Sequence, residues 1–138
     1  MLTDGNTHLE IVTDKDVVSA RQLGRELAAQ FGFSPGDQTV IAAAVSEIAR
    51  NILMYARRGE VSFRHIADGS REGISVVARD EGPGIPDLSR ALTDGYSTSG
   101  GLGLGLPGAR RLMDEFEIVS GPGRGTTVTM SKLKRPLR

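Results

Sequence analysis

The chain has 138 residues, with 17 lysine or arginine residues balancing 17 aspartate or glutamate residues, and it contains no cysteine. This length suffices for one domain with a substantial core, and a net charge of zero argues against a non-specific nucleic-acid binder. Without cysteine, a signal peptide or a long apolar run, we expect a cytoplasmic protein with no disulfide, no thiolate metal site and no membrane span.

The first half of the chain predicts one strand and two helices. Residues 9–13 are rich in β-branched side chains and have the character of an edge strand. Apolar residues recur every three or four positions over residues 16–31, which predicts an amphipathic helix. Ser34 followed by Pro35 is a typical helix start, and the helical period that follows extends to about Tyr55.

The second half predicts mainly strands. Residues 60–66 and 73–79 have strand character and are joined by a polar turn, and the second of these strands leads directly into Asp80. The remaining predicted elements are a short helix at 87–92, a polar and glycine-rich lid at 95–101, a helix at 106–113, and a final hairpin formed by 117–120 and 126–133.

This order of elements determines the expected fold class. The strands run together late in the chain and do not alternate regularly with helices, which disfavours a doubly wound parallel sheet. We therefore expect an α+β fold: a two-layer sandwich with the helices on one face of a mixed, mainly antiparallel sheet. Residues 1–138 should form a single domain.

Two glycine-rich segments lie on either side of the predicted lid. Asp80-Glu-Gly-Pro-Gly is a short acidic turn, and Gly101-Leu-Gly-Leu-Gly is a run of glycines whose backbone amides can form an anion cradle. A carboxylate beside a phosphate cradle is explained if Asp80 accepts a hydrogen bond from the amino group of adenine, at the other end of the same ligand.

Two common phosphate motifs do not account for these segments. The chain contains no Gly-Lys pair, which excludes a P-loop. The G-x-G-x-x-G pattern of dinucleotide-binding proteins does occur from Gly103 to Gly108, but a polar segment precedes it where that motif requires a strand, and Pro107 interrupts the helix opening.

The second predicted helix adds a carboxylate and a carboxamide. Glu47 and Asn51 are four residues apart, so they lie on the same helix face, one turn from each other. Glu47 could accept a proton from an attacking hydroxyl group. Asn51 could supply one oxygen to Mg²⁺, which takes few protein ligands and completes its shell with water and phosphate oxygens.

Taken in order, these motifs resemble the signature boxes of the GHKL superfamily of ATP-binding domains. The boxes are Glu47-x-x-x-Asn51, Asp80-x-Gly82-x-Gly84, Gly101-x-Gly103-x-Gly105 and Gly125-Thr126. Within the superfamily the chain is most similar to the small anti-sigma-factor serine/threonine kinases, in the branch of the stressosome switch kinases. Leu53-Met-Tyr follows Asn51 where other anti-sigma kinases often carry His-Ala-Tyr, and this departure favours the switch branch over direct capture of a sigma factor.

The resemblance implies a Bergerat-type fold and a role for each matching residue. Asp80 would bind the adenine amino group with Thr126 nearby, and Glu47 would be the general base. Asn51 would bind Mg²⁺. The remaining implied ATP-binding residues are Gly82 and Gly84 beneath the base, and Ser97, Thr98, Gly101, Leu102, Gly103, Leu104 and Gly105 around the phosphates.

The function implied is a protein serine/threonine kinase that uses ATP and Mg²⁺. Its substrates would be STAS-domain proteins of a stressosome, scaffold or antagonist, and the released kinase could activate a PP2C-type phosphatase. Neither nucleic acid nor membrane is expected as a partner, and a homodimer is left open. One alternative is a module that sequesters a sigma factor or regulator, with nucleotide as a structural ligand. A detached histidine-kinase ATPase domain is disfavoured, because no helical segment with a phosphoacceptor histidine precedes the domain.

Overall fold

The computed structural model describes residues 6–84, 105–121 and 123–134. They form eight elements, in the order β1 (Asn6–Ile11), α1 (Asp14–Gln30), α2 (Pro35–Tyr55), β2 (Gly59–Asp68), β3 (Arg71–Asp80), α3 (Gly105–Leu112), β4 (Glu115–Ser120) and β5 (Thr126–Leu133). The predicted helix at 87–92 and the predicted lid at 95–101 lie outside the described residues.

Side chains define where the two long helices begin. Asp16 Oδ2 accepts hydrogen bonds from the backbone amides of Val12 at 2.8 Å and Thr13 at 3.0 Å. These bonds turn the chain out of β1 and into α1, so the strand ends before Val12, although the sequence predicts that it continues to Thr13. At the start of α2, Ser34 Oγ accepts from the amide of Asp37 at 3.2 Å, as the sequence predicts.

The five strands form one sheet in the order β1-β2-β3-β5-β4. All four neighbouring pairs are antiparallel. The predicted α+β class is confirmed. The sequence predicts a mixed, mainly antiparallel sheet, and the strand pairs among the described residues are all antiparallel. The pairing of β3 with β5 places Asp80 directly opposite Thr126, which joins two predicted site residues.

The helices cover one face of this sheet. Alternate side chains of β2, β3 and β5 point towards the helices and are buried, as in Phe63, Val76 and Met130, while the side chains between them are more exposed. Helix α2 contacts both α1 and α3 as well as three strands, so it is the central helix of the layer. No helix in the described ranges is long and apolar enough to span a membrane.

Candidate active site

Asp80 closes β3 with a buried carboxylate, only 6% exposed. Its Oδ1 atom accepts two backbone amide hydrogen bonds, from Gly82 at 2.9 Å and from Thr126 at 3.2 Å. No residue in the described ranges donates to Oδ2. One oxygen therefore fixes the side chain, and the other remains an acceptor for an external donor such as an amino group.

The electrostatics of Asp80 are set mainly by its burial. Loss of hydration raises the pKa of this carboxyl group, and the amide hydrogen bonds from Gly82 and Thr126 act in the opposite direction without cancelling the effect. A ligand that donates a hydrogen bond to the ionised carboxylate would replace part of the lost hydration. The buried carboxylate is therefore suited to accept a hydrogen bond from a ligand.

Thr126 lies directly opposite Asp80 in the β3–β5 pair and is itself buried. Its Oγ1 atom lies 2.8 Å from Ser120 Oγ, and Ser120 Oγ also donates to the carbonyl of Gly125 at 3.2 Å. Sequence reasoning missed Ser120. Its signal was its position at the end of β4, where the hairpin register pairs it with Thr126.

The glycines of the acidic turn permit close backbone contacts. A Cβ atom added to Gly82 would lie 2.5 Å from Ala56 Cβ and 3.2 Å from the carbonyl oxygen of Tyr55, so this residue packs on the C-terminal end of α2. Gly84 has a φ of +86°, and a Cβ atom there would collide with the carbonyl oxygen of Gly121. The turn is therefore held between α2 and the β4–β5 hairpin.

Glu47 and Asn51 project from α2 as predicted. Glu47 Oε1 accepts the backbone amide of Gly105, the first residue of α3, at 3.0 Å. The same oxygen lies 3.4 Å from Arg50 Nη1, an ion pair between residues three apart on the helix. Glu47 is thus joined to the end of the predicted phosphate cradle.

Asn51 is 8% exposed, and its side chain makes no hydrogen bond with any residue of the described ranges. In the described ranges, every side-chain nitrogen or oxygen atom that is fully buried has a hydrogen-bond partner. Because the Asn51 carboxamide has no such partner, its polar atoms are not fully buried and open to space outside the core. A single amide oxygen suits Mg²⁺, which keeps most of its ligands as water and phosphate oxygens. No group of three or more His, Cys, Asp or Glu side chains able to hold a metal occurs in the described part of the chain.

Two parts of the candidate site meet α2 at different points. The acidic turn meets this helix at Tyr55 and Ala56, and α3 meets it at Glu47. These contacts are eight residues apart, or about 12 Å at roughly 1.5 Å per residue. The predicted phosphate-binding residues outside the described ranges are Ser97, Thr98, Gly101, Leu102, Gly103 and Leu104.

Comparisons with known proteins identify the family of this chain. Residues 12–132 match the model of the histidine kinase-like ATPase domain family. The chain is 49% identical over 127 residues to the serine/threonine-protein kinase RsbT of Bacillus subtilis (strain 168), covering 92% of this chain and 96% of that protein. It is 31% identical over 119 residues to the anti-sigma F factor of Thermoanaerobacter sp. (strain X514), covering 82% of each.

Two solved structures share the fold. The crystal structure of the RsbU and RsbW domains of Rv1364c from Mycobacterium tuberculosis has a TM-score of 0.60 at 24% identity, and the match covers 96% of this chain but only 34% of that one. The crystal structure of the SiaB–SiaC complex from Pseudomonas aeruginosa has a TM-score of 0.55 at 13% identity and covers 93% and 88% of the two chains.

Proposed function

The chain belongs to the histidine kinase-like ATPase domain family, and from this premise we propose that it transfers the γ-phosphoryl group of ATP to a serine or threonine of a partner protein. The predicted membership of the GHKL anti-sigma-factor kinases is confirmed, and the 49% identity to RsbT supports protein serine/threonine kinase activity. The observation that carries the proposal is that the turn after Asp80 meets the end of α2 at Tyr55 and Ala56, while the start of α3 meets the same helix at Glu47.

At the adenine end, Oδ2 of Asp80 accepts a hydrogen bond from the exocyclic amino group. The amides of Gly82 and Thr126 hold Oδ1, so the carboxylate keeps one orientation while the base binds. Guanine presents a carbonyl oxygen at the equivalent position, and that oxygen would face the carboxylate without a donor between them. This arrangement favours ATP over GTP.

At the phosphate end, Asn51 is the residue that would hold Mg²⁺. Its carboxamide opens to space outside the core and its chemistry fits a cation that takes few protein ligands. When bound, Mg²⁺ neutralises part of the phosphate charge. The amides from Gly101 to Gly105, with Ser97 and Thr98, wrap the phosphates in this proposal, as the family resemblance implies.

The transfer step uses Glu47 as the general base. The acceptor hydroxyl oxygen forms a bond to the γ-phosphorus while the bond from that phosphorus to the β,γ-bridging oxygen breaks, and ADP leaves with the electron pair. The hydroxyl proton passes to the carboxylate of Glu47 and then to water. The chain's own contribution is to align the two oxygens and receive the proton.

The partner we propose is a STAS-domain protein of a stressosome. The described residues form one sheet with its helices, and in this proposal the partner presents its hydroxyl from its own folded surface. After transfer, the released kinase binds and activates a PP2C-type phosphatase in this scheme. Both partners rest on the family resemblance.

The test compares wild type with Glu47→Ala, using labelled ATP, Mg²⁺ and a purified STAS-domain protein encoded by the same genome. The variant should bind ATP by calorimetry as wild type does, and transfer should fall by roughly 10²–10⁴-fold, the usual contribution of a general base. Phosphosite mapping identifies the acceptor. Transfer that survives unchanged in the variant would remove Glu47 from the base role.

The anti-sigma F factor relatives favour a second candidate, a module that sequesters a regulator and uses nucleotide only as a structural ligand. Under that function Glu47→Ala would leave partner binding intact, and the wild-type chain would transfer no phosphoryl group to the protein it binds. The same labelled-ATP experiment therefore separates the two functions.

A further inference from the structure

The two carboxylate oxygens of Glu47 have different surroundings. Oε1 accepts the amide of Gly105 at 3.0 Å and lies 3.4 Å from Arg50 Nη1. No donor from the described ranges reaches Oε2. The Glu47 side chain is 14% exposed, so most of it is shielded from solvent.

We propose that Arg50 is a positioning residue for phosphoryl transfer: together with the Gly105 amide it holds Oε1 of Glu47, so that Oε2 receives the proton of the acceptor hydroxyl. This inference rests on the proposed kinase function. Arg50 lies in sequence between the predicted base, Glu47, and the predicted Mg²⁺ ligand, Asn51, and it has neither of those two roles.

A hydrogen bond from one element and an ion pair from another restrict the carboxylate more than either does alone. Arg50 approaches from the same helix, one turn away, and Gly105 approaches from the start of α3. A glutamate has three side-chain torsions, and fixing one oxygen from two directions limits rotation of the carboxylate plane. Misplacement of a reacting group by about 1 Å can cost roughly 100-fold in rate, so such a restraint has kinetic value.

Stability alone does not account for the pair. The Arg50 side chain is 43% exposed, and ion pairs at that exposure contribute little to folding. Its loss should therefore leave the fold intact while loosening the base. The guanidinium is planar and offers several donors in fixed directions, which a lysine ammonium reproduces only in part.

The first experiment measures Arg50→Ala in the full chain. We expect kcat for transfer to the STAS-domain partner to fall by roughly tenfold, less than for loss of the base itself because Gly105 still holds Oε1. The Kd for ATP and the KM for the partner should stay within about twofold, and Arg50→Lys should recover part of kcat. Arg58→Ala is the matched control, since Arg58 also pairs with a glutamate at 3.7 Å, but its partner is Glu10 and not Glu47.

The second experiment is a double-mutant cycle with Glu47→Ala. If Arg50 acts through Glu47, Arg50→Ala causes no further loss of the residual rate in the Glu47→Ala background. A further tenfold loss there, a weakened ATP Kd, or a raised partner KM would each show that Arg50 contacts substrate directly, and would overturn the proposal. So would a kcat for Arg50→Ala equal to that of Arg58→Ala. Transfer by the wild-type chain is measured before any variant, and a wild-type chain that transfers no phosphoryl group would contradict the kinase function itself.

Discussion

Asp80 is held in an environment that opposes its own charge. Burial raises the pKa of its carboxyl group, so between the ordinary pKa and the raised one the folded chain binds more protons than the unfolded chain. The free energy of unfolding therefore decreases as the pH rises through that window. At neutral pH the ionised side chain costs stability, and a carboxylate retained at that cost is consistent with a binding role.

Asp80→Asn should separate binding from folding. The new carboxamide oxygen can accept from Gly82 and Thr126, whereas its NH₂ group would face the adenine amino group as donor against donor. ATP affinity should fall by roughly 10–100-fold, equivalent to about 1–3 kcal/mol for an unsatisfied polar contact. The midpoint of thermal unfolding at pH 7 should be equal to or above that of wild type, and any advantage should vanish below the ordinary pKa of aspartate.

Titration calorimetry and thermal melts measure the two effects on the same samples. An unchanged ATP Kd would remove Asp80 from adenine recognition. A variant less stable than wild type at neutral pH would contradict the direction of the pKa shift.

The β4–β5 hairpin is the element that aligns Asp80 with its partners. Gly125, the last residue before β5, has a φ of +73°, and a Cβ atom there would collide with the carbonyl oxygen of Asp80. Two residues earlier, Gly123 has a φ of +74°, but a Cβ atom on it would meet nothing within 4 Å. The same loop thus contains one crowded and one open glycine with nearly equal φ angles.

This pair provides a controlled test of the hairpin. Gly123→Ala should reduce the free energy of unfolding by about 1–2 kcal/mol, the cost of a left-handed conformation for a residue with a side chain. Gly125→Ala carries the same cost plus the collision, and should be less stable than Gly123→Ala and bind ATP more weakly. Urea denaturation gives both stabilities. Equal losses in the two variants would mean that the close approach to Asp80 has no energetic weight.

Much of the element order follows from local signals in the sequence. Ser34 and the helical period after it predict α2 to its last residue, because capping and periodicity act over short distances. The first and last residues of a strand depend less on the local sequence. The sequence places the start of the last hairpin at Glu117, but β4 begins at Glu115, where the strand pairs with Ser131 of β5. Such a limit depends on a partner strand.

The candidate site also combines residues that local motifs identify with contacts that no local motif encodes. The sequence identifies Glu47, Asn51, Asp80 and Thr126 as candidates because ordered motifs carry them, and their roles stay predictions. The bond from Gly105 to Glu47 joins residues 58 positions apart, and no pattern within either segment encodes it. Ser120 was missed for a similar reason, since its contact with Thr126 follows from the register of the hairpin.

At the scale of the whole molecule, ligand binding should stabilise the fold. ATP with Mg²⁺ at 100 times its Kd should add about 2.7 kcal/mol to the free energy of unfolding, which for a chain of this size raises Tm by roughly 10 °C. GTP at the same concentration should give a much smaller shift. Differential scanning fluorimetry measures both, and equal shifts for the two nucleotides would contradict the proposed reading of adenine by Asp80.

The contacts of Glu47 and Tyr55 on one uninterrupted helix restrict how the chain can change in length. A single residue inserted between them would rotate the distal part of α2 by about 100° and advance it by about 1.5 Å, carrying Tyr55 and Ala56 away from the acidic turn. An insertion at Gly69, where an added side chain meets nothing, would disturb neither contact. Functional variants should therefore tolerate extra residues in the β2–β3 turn and none between Glu47 and Ala56.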